Sequence, residues 1–218
     1  MLRMPSALLV AALLLVGALA PLAAQGVGTE IGTEALPEGV SIAAFSEAIS
    51  KPVALAFLPD GRLLVTEKHG VVRLVETDGE IQPAPVISLT ASTFDQDERG
   101  LIGITPDPGF EENGWIYVYQ TMRAPELNAA GVNRVLRFRL PPDSGVGVEV
   151  TPAYTVAHAG HIHNGGNLHF GPDGMLYLSI GETSRIELSR NPKDPRGGIL
   201  RLDTSSLPFR GAAGNPFE

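Results

Sequence analysis

Four of the five histidines of this 218-residue chain, His158, His161, His163 and His169, fall within twelve residues. Imidazole is the side chain whose charge changes near neutral pH, so such a cluster suits proton transfer or metal binding. His163 is followed by Asn164-Gly165-Gly166, and glycines there let a ligand or a second backbone approach closely. On an extended strand, residues two apart share a face, so His161 and His163 are expected to point together. Glu182 closes the next apolar run, Tyr177 to Ile180. If Leu168–Phe170 and Tyr177–Ile180 pair across Pro172-Asp173-Gly174, Glu182 returns beside His163. A carboxylate there fixes the tautomer of the ring and raises its basicity, making a general base and its orienter. A metal site is the alternative, since His-x-His suits zinc. Gly165 and Gly166 stand where a hydrolytic centre would want an aspartate, so no metal ligand is assigned. A solvated, inert histidine loop is the plain alternative to both.

Other chemistries are poorly supported. The chain has no cysteine, which excludes disulfides, thiolate metal sites and cysteine nucleophiles. No Gly-x-Ser-x-Gly, phosphate loop or dinucleotide fingerprint occurs. With a net charge of −8 the chain lacks the basic footprint of a nucleic-acid binder.

Positioning these groups requires a scaffold, and the sequence repeats one. Ala54 to Val65 matches Asn167 to Leu178, each reading apolar run, Pro-Asp-Gly, apolar run. Proline sets φ and glycine supplies a positive φ, so each copy is expected to be a β-hairpin. A looser copy runs from Leu101 to Pro108 and from Asn113 to Tyr119, with a longer connection. Each copy is followed by an arginine between two apolar residues, Arg73, Arg137 and Arg201, 64 residues apart both times. Hairpins with one further strand, repeated three times, predict an all-β chain built as about three blades of a β-propeller. Frequent glycine and proline (25 and 18 residues) argue against long helices.

Residues 1–24 read as a secretory signal peptide. Arg3 precedes the uncharged run Ala7 to Leu22, and Ala23-Ala24 supply small residues before cleavage. An uncleaved anchor is the alternative. No later run is long and apolar enough to span a bilayer, so no stable membrane insertion follows cleavage, and the location is periplasmic or secreted. Residues 25–36 read as a linker and 37–218 as the partial propeller. Propellers close with four to eight blades. Three blades are therefore expected to belong to a longer protein or to associate with something that covers their open edges.

Pro52 to Gly61, Glu98-Arg99-Gly100-Leu101-Ile102-Gly103, Asn133-Arg134-Val135, His163 to Gly174, Gly198 to Leu202 and Asn215-Pro216-Phe217 stand in an order that resembles the soluble pyrroloquinoline-quinone-dependent sugar dehydrogenases, the glucose/sorbosone dehydrogenase family. The resemblance runs from about residue 37 to 218 and covers the family's N-terminal half. It implies a six-bladed propeller with quinone (PQQ) and sugar at its axial mouth. It also implies an oxidoreductase that converts the anomeric hydroxyl of an aldose to the lactone and passes electrons to an external acceptor. At the matching positions His163 is the general base, and Glu182 orients it in place of the family's usual aspartate. Residues gripping PQQ, and the carbonyls ligating its calcium, belong to the family's second half, so no cofactor contact is assigned here. A metal-dependent lactonase-like propeller and a non-catalytic secreted binding module are the alternative readings.

Overall fold

The computed structural model describes residues 36–46, 48–124, 128–156 and 158–216. The segment expected to be a signal peptide, and nearly all of the expected linker, residues 1–35, lie outside the described residues. The chain divides into two compact units, residues 1–42 and 43–218. In the first, the described segment contains a turn in which Val40 N donates to Pro37 O. All the sheets belong to the second.

Three four-stranded antiparallel meanders make up that unit. The first blade holds β1 (Pro52–Phe57), β2 (Leu63–Glu67), β3 (Val71–Val75) and β4 (Ile87–Ser88). The second holds β5 (Leu101–Pro106), β6 (Trp115–Ala124), β7 (Asn128–Arg139) and β8 (Val148–Val156). The third holds β9 (Leu168–Phe170), β10 (Leu176–Ile180), β11 (Gly198–Asp203) and β12 (Arg210–Gly211). These are propeller blades, as the repeat predicts. Among the described residues the one α-helix, α1 (Phe110–Asn113), is a single turn that fills the longer connection of the second blade and ends on Gly114 at φ 68°.

The turns work as their residues dictate. Gly61 and Gly174 adopt φ 89° and 75°. The aspartate of each turn accepts from the backbone two residues on: Asp60 from Arg62 N at 3.0 Å, Asp173 from Met175 N at 3.1 Å. In the second blade Asp107 accepts from Gly109 N at 2.9 Å, and the chain continues into α1 instead of reversing.

Alternation on the strands builds two cores, one on each side of the middle blade. Leu64 and Leu74 of the first blade meet Ile116, Val118, Leu136 and Phe138 of the second. Tyr117, Tyr119 and Val135, on the opposite face of the second blade, meet Leu168, Leu176, Leu178 and Leu202 of the third. The innermost strands β1, β5 and β9 lie side by side. Gly103 permits that approach, since a Cβ there would sit 2.0 Å from Gly166 O.

The equal spacing of the three arginines conceals a difference. Tyr117 pairs with Arg137 and Tyr177 with Arg201, whereas Arg73 pairs with Val65. Leu64, the counterpart of Tyr177, pairs with Leu74. Arg73 therefore lies on the face of its blade opposite to that used by Arg137 and Arg201. The loop between β2 and β3 differs in length, and one residue of slip exchanges the faces of a strand.

Candidate active site

His163 and Glu182 stand just beyond the two ends of the β9–β10 hairpin. Phe170 pairs with Leu176 and Leu168 with Leu178, so the chains leave the ladder side by side. They remain linked past it: Ser179 N donates to Asn167 O (3.0 Å), Gly166 N to Ser179 O (2.8 Å) and Thr183 N to His163 O (3.1 Å). Glycine is needed on both sides. A Cβ on Gly165 would lie 2.6 Å from Ser179 O, and one on Gly181 1.9 Å from His163 O. The result is a direct hydrogen bond between His163 Nδ1 and Glu182 Oε1. The extra methylene of glutamate still reaches the ring.

His163 has φ 58°, in the left-handed region. For a residue with a Cβ this costs about 1–2 kcal/mol, so its neighbours must hold it there. Its N–H donates to Glu98 Oε2 at 2.5 Å. Its successor Asn164 is buried, and both ends of its side-chain amide are hydrogen-bonded. Asn164 Oδ1 accepts from Gly160 N (2.9 Å) and Asn133 Nδ2 (3.0 Å), and its Nδ2 donates to Gly160 O (3.0 Å). Its carbonyl accepts from the Tyr119 hydroxyl (3.0 Å), and Asn133 Oδ1 accepts from Thr121 Oγ1 (2.7 Å). Burial drives the Tyr119 pKa up, so that hydroxyl stays neutral and donates. A satisfied buried network of this kind specifies one geometry.

The ring of His163 is half exposed (51%), while Glu182 beneath it is 21% exposed. The Glu182 hydrogen bond, then the negative charges of Glu182 and Glu98, hold the His163 pKa above its ordinary 6.5. The same hydrogen bond holds the Glu182 carboxyl below its usual range. With Nδ1–H donating to the carboxylate, Nε2 is the nitrogen left to accept a proton. Glu182→Gln removes the stabilising charge, so the His163 pKa should fall toward 6.5. An NMR titration of the imidazole checks this, and an unchanged midpoint would separate the two groups electrostatically.

The other histidines do different things. His161 does not share the bearing of His163, because this segment is not a strand and His163 is left-handed. His161 Nδ1 lies 3.1 Å from Asp97 Oδ2, which also accepts from Arg99 at 2.7 Å. The His161 hydrogen bond and the Arg99 charge hold the Asp97 carboxyl below its usual range. Arg99 is buried, its guanidinium 3.8 Å from the Phe94 ring centroid. Lys68 Nζ donates to the Asp97 carbonyl. His169 is on β9 and lines a cleft of about 500 Å³ with Gly103, Gly165, Asn167 and Ser179. His158 is exposed at φ 63°. Among the described residues no group of three or more His, Asp or Glu side chains converges to hold a metal ion.

Sequence reasoning named His163 and Glu182 and missed Glu98, Asp97 and the Asn133–Asn164 pair. The one signal for Glu98 was its place in the Glu98-Arg99-Gly100 motif, where no role was legible.

Comparison with known proteins adds a family. The sequence model described as Glucose / Sorbosone dehydrogenase matches residues 49–218. A PQQ-bound aldose sugar dehydrogenase from Streptomyces coelicolor superposes with TM-score 0.69 at 29% identity, covering 81% of this chain and 50% of that one. An oxidoreductase (glucose dehydrogenase) of Thermus thermophilus superposes with TM-score 0.66 at 34% identity, covering 78% and 48%. Hedgehog-interacting protein of Mus musculus is 29% identical over 189 residues, which are 77% of this chain and 27% of that protein. The chain thus spans about half the length of these solved relatives and about a quarter of the mouse protein.

Proposed function

Because this chain belongs to the glucose/sorbosone dehydrogenase family, we propose that it carries the proton-transfer half of a PQQ-dependent aldose dehydrogenase site. The observation that carries this reading is the His163–Glu182 pair at an exposed, glycine-lined edge of the third blade. His163 Nε2 takes the proton from the anomeric hydroxyl of an aldose as C1 is oxidised and the lactone carbonyl forms. Glu182 keeps Nδ1 protonated and stabilises the imidazolium that results. Glu98 and Asn164 hold the backbone that aims the ring. PQQ, when bound, supplies the two-electron acceptor. The half-exposed ring beside Gly165 fits contact with a flat oxidant. The cations of the neighbouring loop are otherwise engaged: Arg99 is buried on Phe94 and Asp97, and Lys68 donates to a backbone carbonyl. The grip on the cofactor's carboxylates, and on calcium, is therefore assigned to blades beyond the three in this chain. The leader at residues 1–24 would place the reaction in the periplasm or outside the cell, with an external electron acceptor.

The test is to join the chain to the C-terminal half of the PQQ-bound Streptomyces coelicolor relative, add PQQ and calcium, and follow reduction of an artificial dye on adding aldoses. Reduction that requires both quinone and sugar is expected. Quinone binding, seen by fluorescence quenching, without sugar-dependent reduction by any aldose would overturn the reading. A second reading, a non-catalytic binding module, is favoured by the similarity to hedgehog-interacting protein at the same 29% identity. Failure to bind the quinone at all would favour it.

A further inference from the structure

Beside the His163–Glu182 pair stands a second imidazole–carboxylate pair, His161 and Asp97, which the proton transfer described above does not use. His161 Nδ1 lies 3.1 Å from Asp97 Oδ2. An exposed ion pair by itself means little. This one rests on a buried support. Arg99 is 1% exposed, and each of its three nitrogens has an acceptor: Nε has Gln96 O (3.0 Å), Nη1 has Ala130 O (3.1 Å) and Nη2 has Asp97 Oδ2 (2.7 Å). Burying a guanidinium is costly unless it is paired in this way. Asp97 has φ 53°, a strained value for a residue with a Cβ, and Lys68 Nζ donates to its carbonyl. A buried cation and a strained backbone thus fix one carboxylate against an imidazole whose side chain is 75% exposed.

Glu98 ties the two pairs together. Its N–H donates to His161 O at 3.2 Å, and its Oε2 accepts from His163 N at 2.5 Å. One residue therefore holds the backbone of both histidines, and two residues of chain span at most about 7 Å. A single sugar ring can bridge the two imidazoles. With Nδ1–H donating to Asp97, His161 presents Nε2 as an acceptor. The half-exposed carboxylate of Asp97 also offers acceptors only. Acceptors beside a negative charge suit the hydroxyls of a neutral sugar. They repel carboxylates, whether those of the quinone or that of a sugar acid.

We propose that His161, oriented by Asp97, binds a hydroxyl of the sugar while His163 acts on the anomeric one, so that the site takes neutral aldoses in preference to sugar acids. The proposal rests on the assignment of His163 as base. The two rings bear in different directions, so they address different atoms of one ligand. His161 holds the sugar and takes no proton from its anomeric hydroxyl.

The experiment uses the joined chain loaded with PQQ and calcium. Anhydroglucitol, a glucose analogue without the anomeric hydroxyl, cannot be oxidised to the lactone, so calorimetry reads its binding apart from catalysis. His161→Ala should weaken that binding about tenfold, the worth of one hydrogen bond to a fixed partner. The KM for glucose should rise by the same factor, with the loss carried by KM rather than kcat. Thermal melting should be unchanged, because the ring is exposed. The parent should use glucose at a higher kcat/KM than glucuronate, and Asp97→Asn should narrow that ratio. No binding of the analogue by the parent, unchanged binding and KM in His161→Ala, a fall in kcat at constant KM, or equal use of glucuronate and glucose would each overturn the proposal. If the parent binds the analogue but reduces no dye with any aldose, the assignment of His163 fails, and the affinity of His161→Ala still decides the role of His161.

Discussion

Replacing His163 by alanine should lower aldose-dependent dye reduction by roughly 10²–10⁴-fold, the range set by loss of a positioned general base. The effect falls on kcat, because the ring acts on the proton as C1 is oxidised and its contribution to ground-state binding is small. The fold should be retained. The side chain is 51% exposed, and the hydrogen bonds that hold this segment run through the backbone of His163 and through Asn164. The measurement is kcat at saturating sugar and quinone, with thermal melting as the control for folding. A variant with near-normal kcat and a normal melt would remove His163 from the base role. The pH profile gives a further check. Only the neutral ring accepts a proton, and its pKa is raised, so activity should rise with pH through a midpoint above 6.5. In Glu182→Gln the same limb should move to lower pH.

Replacing Asn164 by leucine should lower the stability of the chain by about 3–5 kcal/mol. The side chain is 2% exposed and makes three hydrogen bonds, with Gly160 N, Gly160 O and Asn133 Nδ2. Leucine matches its branching but bonds none of these groups, and each buried polar group left unsatisfied costs about 1–3 kcal/mol. For a chain of this size the melting temperature should fall by roughly 10 °C. Asn164→Asp should also destabilise, since a carboxylate still accepts from Gly160 N and Asn133 Nδ2 but buries an unpaired charge and sets an oxygen against Gly160 O. A leucine variant as stable as the parent, measured by urea unfolding, would show that the network contributes nothing to holding the loop.

The blades were legible because their determinants are local. A Pro-Asp-Gly turn between two alternating runs specifies a hairpin within about twelve residues, and three such hairpins declare a repeat. The longer second connection was also visible, although that Phe110–Asn113 forms a helical turn was not. The His163–Glu182 pair was legible for the same reason, since pairing Leu168 with Leu178 commits the two residues beyond them to the same end of one hairpin.

What depends on contacts between blades was not legible. Glu98 precedes β5 of the second blade and His163 precedes β9 of the third, 65 residues later, yet the carboxylate of one holds the backbone of the other. Arg73 shares its neighbours and spacing with Arg137 and Arg201 but faces the other way, because a change in loop length reverses which side of a strand is presented. Sequence alone therefore determined the repeating hairpins and the imidazole–carboxylate pair that one of them closes. Tertiary structure decided the left-handed backbone of His163, its support by Glu98 and the buried asparagine beside it, and the facing of each blade. Those features rest on side chains distant in sequence and meet only when the blades pack, where no local period or turn can announce them.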